Sequence, residues 1–85
     1  MHYGKEFPQE HFVELKGLSP FLVGRISVYL TEKKKFNLEV DIIQKESGKI
    51  FNHVNSTFEQ DDLQDALASS VQILKNFLDS KSTKY

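Results

Sequence analysis

His2, His11 and His53 are the only imidazoles in this 85-residue chain, and there is no cysteine to join them. No two of them stand at helical ligand spacing, so a zinc site would need carboxylates brought in by the fold. Asp61, Asp62 and Asp65 are the densest acids. They could serve a metal or acid–base chemistry, yet a helix N-cap and the positive end of a helix dipole call for the same residues. Ser56, Ser69 and Ser70 have no base nearby in sequence and no nucleophile-elbow pattern around them. The four glycines are scattered and build no phosphate-cradling loop. This reading expects no enzyme activity, no cofactor and no metal.

Lys33, Lys34 and Lys35 form the one basic run, set between two apolar segments. With Arg25 and Lys49 they are the candidate phosphate contacts for RNA. Glu32, Glu39, Asp41 and Glu46 are interspersed among them. Eleven Lys and Arg against twelve Asp and Glu give a formal charge of −1, whereas dedicated nucleic-acid binders usually carry a basic surplus. Three or four phosphate contacts give weak, salt-sensitive binding. A solvated charged loop is the other reading of the run. His53, Phe51 and Tyr29 are expected together on one exposed sheet face. There they would either stack on a base or form an ordinary cross-strand cluster.

The elements that must position these residues follow from periodicity. Eighty-five residues bound the chain to a single small domain, 1–85, with loose ends expected at about 1–7 and 81–85. No stretch reaches the roughly 18 apolar residues of a membrane span, and a cytoplasmic location is expected. "PQEHFVELK" is expected to form a short helix opened by Pro8 and closed before Gly17, with Phe12 and Leu15 on one face. The same letters also permit a strand, since Val13 and Leu15 alternate with Glu14 and Lys16. "LVGRISVYL" alternates with period two: Leu22, Gly24, Ile26, Val28 and Leu30 on one face. "FNLEVDI" repeats it with Phe36, Leu38, Val40 and Ile42. "KIFNHVNSTF" is a third strand with Ile50, Val54 and Phe58 facing in, after a turn in which Gly48 supplies a positive φ.

From Asp61 a closing helix is expected, with Asp61 as N-cap and Gln64 completing a capping box. Leu63, Ala66, Leu67, Ser70, Val71, Leu74, Phe77 and Leu78 form its apolar stripe. The expected fold class is α+β: a three-stranded antiparallel meander with helices packed on one face, in the order α-β-β-β-α.

That order resembles a double-stranded-RNA-binding domain, although "FEQDD" is acidic where that family's second helix opens with a basic patch. A closer resemblance is to the ribosome hibernation-promoting factors, the ribosome-associated inhibitor proteins. It covers about residues 21–81 and is carried by "RISVYLTEKKKFNLEVDI" and "DDLQDALASSVQILKNFL". Asp61, Asp62, Ala66, Val71, Leu74 and Leu78 fall at that family's helix spacing. Asn76 and Asp79 stand where the family carries Arg or Lys. The resemblance implies a non-catalytic ribosome-associated factor that binds ribosomal RNA or the small subunit and modulates translation. The alternative is a protein-interaction or dimerisation module. It would use the open face, where Val23, Tyr29, Ile43 and Phe51 are expected, or the strand edges.

Overall fold

Alternating apolar residues build a sheet, and a 3.6-residue apolar stripe covers one side of it. The chain, described over residues 7–82 by a computed structural model, runs β1 (Gln9–Val13), β2 (Leu22–Leu30), β3 (Phe36–Gln44), β4 (Ile50–Gln60) and α1 (Leu63–Ser82). The strands lie in sequence order in one antiparallel sheet. The expected three-stranded α-β-β-β-α meander is thereby corrected to a four-stranded β-β-β-β-α fold with one helix.

The correction falls on residues 9–13. Gln9, His11 and Val13 are half-buried while Glu10 and Phe12 are exposed, the period-two pattern of a strand. A nine-residue helix is marginal without strong packing, whereas β2 offers a complete row of backbone partners, from Gln9 opposite Val28 to Val13 opposite Gly24. Phe12 and Leu15 do not share a face: Phe12 is exposed, and Leu15 packs against the core. Of the loose ends expected at about 1–7 and 81–85, residues 1–6 and 83–85, and with them His2, lie outside the described residues. At the border of the first, Phe7 packs tilted on Phe36, ring centroids 5.8 Å apart.

The centre of the sheet follows the alternation. Ile26 opposes Val40 and Val28 opposes Leu38, and these four join Ile42, Ala66 and Leu74 in the buried cluster beneath α1. Each such aliphatic contributes about 1.5–3 kcal/mol by leaving water. Ala66 and Ser70, both buried, let the helix lie close, and so does Gly24. A Cβ there would meet Leu74 Cδ1 at 2.9 Å and the Val13 carbonyl oxygen at 3.3 Å. Asp62, rather than Asp61, caps α1: its carboxylate accepts from the Asp65 N–H at 3.2 Å and its carbonyl from the Ala66 N–H at 3.0 Å. Asp61 instead pairs with Lys35.

Candidate functional site: the open face and the outer strand

The face of the sheet away from α1 is where the sequence placed its aromatic and histidine candidates. Glu10 and Phe12 of β1, Val23, Arg25, Ser27 and Tyr29 of β2, and Glu39, Asp41 and Ile43 of β3 alternate away from the helix. Val23 opposes Ile43, Arg25 opposes Asp41, and Phe12 opposes Arg25.

A polar relay crosses this face. Asp41 is 1% exposed. Its Oδ1 lies 2.7 Å from His53 Nδ1, and its Oδ2 3.6 Å from an Arg25 terminal nitrogen. A carboxylate that deep requires a positive partner and a donor, and Arg25 and His53 supply them. The other Arg25 terminal nitrogen is 3.7 Å from Glu10 Oε2. Arg25 Nε is buried and has no hydrogen-bond partner among the described residues. His53 Nε2 lies 3.1 Å from Ser56 Oγ. With the imidazole neutral, Nδ1–H donates to Asp41 and the Ser56 hydroxyl donates to Nε2. The expectation that Ser56 has no base nearby is thereby corrected: His53, three residues before it, is turned to the same face by a strand irregularity. Nucleophile, base and orienting carboxylate occur in the order of a hydrolytic triad. Acyl transfer also needs oxyanion donors and a recess for substrate. Two hollows among the described residues lie elsewhere. One is bounded by Pro20, Phe21, Lys45 and Phe51, the other by Leu15, Lys75 and Leu78.

That irregularity is in β4. Val40 opposes Asn55, but Asp41 opposes His53, so Val54 is inserted between them. Val54 and Asn55 both fall on the helix side, and His53 and Ser56 both fall on the open side. A second irregularity follows Thr57. Glu59 there adopts φ 53° and its N–H donates to Asn37 Oδ1 at 2.9 Å. A third, between Ile42 and Ile43, inserts Phe51 and sets Ile50 opposite Ile43, and together these shifts correct the expected inward set of the third strand. Val54 packs against the core, but Ile50 and Phe58 are exposed.

The candidate cations do not converge. Lys33, Lys34 and Lys35 occupy the β2–β3 loop, closed by Thr31 N–H to the Lys35 carbonyl at 2.9 Å. Lys49 sits in the β3–β4 turn with Gly48 at φ 73°, the turn conformation the sequence called for. Nine residues of β3 separate the two, roughly 30 Å. Arg25 is paired with Asp41 and Glu10, and Lys35 with Asp61. That hydrogen-bonded carboxylate raises the Lys35 ammonium above the usual lysine range. The three aromatic-face candidates also separate. His53 belongs to the relay, Tyr29 is partly exposed near the far end of β2, and Phe51 borders the hollow with Phe21.

Of the strand edges that the sequence offered as a contact surface, the longer is the outer edge of β4. This strand has 11 residues, pairs on one side with β3, and pairs on its other side with no strand among the described residues. Phe51 and Phe58 are 60% and 63% exposed on it. No helix among the described residues is long and apolar enough to cross a membrane. Comparison with protein-family models, with curated proteins and with solved structures found no match.

Proposed function

We propose that this domain is a non-catalytic interaction module that takes an extended protein segment along the outer edge of β4. The observation that carries the reading is that edge. Natural proteins blunt an open edge by keeping it short or by placing lysine or proline on it. β1, the other edge, has five residues and carries Glu10. β4 has 11 residues, with no lysine and no proline. It offers a row of backbone donors and acceptors flanked by two exposed aromatic rings, the layout used in strand addition. The relay serves this module by holding β4 to β3 at its irregular centre. A cytoplasmic location is part of the proposal.

The test is selection of 12-residue peptides from a random displayed library on the immobilised domain. Peptides with alternating apolar residues should emerge, and the single change Phe58→Lys should abolish their binding while the circular dichroism spectrum is retained. Peptides that bind the Phe58→Lys domain equally well would remove β4 as the docking edge.

A ribosome-associated role has narrower support. Besides the resemblance, it rests on Lys33 and Lys34, which are exposed in the β2–β3 loop and form no ion pair among the described residues. Co-sedimentation with ribosomes at low and then physiological salt tests it. Stoichiometric binding to the small subunit that is lost when Lys33, Lys34 and Lys35 become alanine would favour this role.

A further inference from the structure

We propose that the segment β4 takes is β4 of a second copy of this chain, paired antiparallel about a two-fold axis between Val54 and Asn55. The inference rests on the reading of β4 as a docking edge and names its occupant.

The argument comes from the inserted residue. Asn55 opposes Val40 and His53 opposes Asp41, so the side-chain order along β4 is changed at its middle. Thr57 opposes Leu38 and Asn52 opposes Ile42, which places both on the helix side. Ser56 opposes Glu39 and His53 opposes Asp41, which places both on the open side. Phe51 is inserted at a further register shift, between Asn52 and Ile50, and Phe58 begins the shift after Thr57, so the two exposed rings stand just outside this stretch, one at each end. Read outward from the point between Val54 and Asn55, as far as Asn52 and Thr57, the strand shows the same sequence of faces in both directions: helix, open, helix.

A two-fold axis perpendicular to the sheet carries each face onto itself. About this point it sets Asn52 opposite Thr57 of the second copy, His53 opposite Ser56 and Val54 opposite Asn55, and it brings Phe51 near Phe58 at each end of the matched stretch. In a regular strand, residues five apart lie on opposite faces, and Asn52 could not meet Thr57 in this way. The insertion makes the match possible.

The chemistry across the axis is compatible. From Phe51 to Phe58 the strand holds no Lys, Arg, Asp or Glu, so self-pairing opposes no like formal charges. Both exposed Phe rings gain an aromatic partner, twice per dimer, and such cross-strand pairs favour sheet association. The contact is isologous and closes at two copies.

The test uses the full chain, which has no native cysteine. Sedimentation velocity should show a dimer that dissociates on dilution, and Phe58→Lys should raise its dissociation constant about tenfold or more. Asn52→Cys and Thr57→Cys are then prepared as separate single variants. Under mild oxidation neither should cross-link alone, because like positions lie about 17 Å apart along the paired strands. An equimolar mixture should yield a disulfide-linked heterodimer, since directly opposed Cα atoms fall within disulfide range. This measurement decides the register even if Phe58→Lys fails to fold. A monomer at every concentration overturns the second copy as occupant, and peptide selection then judges the edge by itself. A dimer that links Asn52→Cys to itself, or that leaves the mixture unlinked, overturns the proposed register. A dimer indifferent to a folded Phe58→Lys overturns the docking edge as well.

Discussion

Asp41 shows how a single side chain organises this molecule. Its carboxylate is buried, and its charge is tolerated because Arg25 faces one oxygen and His53 the other. Removing the cation while keeping the acid leaves an uncompensated buried charge. Arg25→Met should therefore lower stability by about 3 kcal/mol, read from urea unfolding at neutral pH. The double change Arg25→Met with Asp41→Leu should recover much of that loss, and a double variant as unstable as the single one would contradict the pairing. A second residue-scale prediction concerns Lys35. Its ammonium is held above the usual lysine range by the hydrogen bond and charge of Asp61. A raised folded value means that the stabilisation is fully present below the ordinary lysine range and fades as pH climbs through the raised value. An NMR titration of Lys35 Nζ should show a late midpoint that Asp61→Asn moves back toward ordinary lysine. At this scale the sequence was partly legible. It put His53, Arg25 and Asp41 on the exposed side of their strands, but linear spacing does not show that Asp41 and His53, twelve residues apart, are opposed across a hairpin. Ser56 was passed over because strict alternation gives it the opposite face from His53.

Elements read well where one force dominates. The stripe of α1 and the alternation of β2 and β3 are set by burial of aliphatic side chains, and Ile26, Val28, Leu38, Val40, Ile42, Ala66 and Leu74 lie in the core. Reading failed where two forces compete. "PQEHFVELK" carries both helix-start and period-two signals, and the backbone partners offered by β2 settle it as a strand, a tertiary choice that local propensity does not contain. β4 defeats period-two reading because inserted residues change which face follows. Two predictions belong here. Gly24→Ala forces a methyl to within 2.9 Å of Leu74 Cδ1 and 3.3 Å of a backbone oxygen. Leu74 is fully buried and has little room to yield, so a loss of about 1–3 kcal/mol is expected in thermal or urea unfolding. Asp62→Ala removes the α1 cap and should cost about 1 kcal/mol. The same change at Asp61 should leave the helix start intact, which separates the two candidate caps by circular dichroism and unfolding.

For the whole molecule, the decisive quantity is how the cations are distributed. The chain carries nearly equal numbers of positive and negative groups. Neutral composition alone does not exclude RNA binding, since one basic face could be offset by an acidic one. The fold does not gather such a face from the candidate cations. Arg25 is engaged by two carboxylates, Lys35 by one, and Lys49 stands at the opposite end of the sheet from Lys33 and Lys34. Lys33 and Lys34 therefore remain as neighbouring candidates able to meet adjacent phosphates. Each phosphate neutralised adds about 0.7–0.9 to the slope of log affinity against log salt. Two lysines then give a slope near 1.4–1.8, below the value expected if all five candidate cations touched the backbone. Fluorescence anisotropy with a labelled structured RNA, repeated across salt concentrations, measures this directly. A slope of about 2 or less, abolished by Lys33→Ala with Lys34→Ala, fits the arrangement seen. A slope of about 4 would mean that Arg25, Lys35 and Lys49 leave their present partners and positions to grip RNA together. The ribosome-associated reading would then take precedence over the β4 edge.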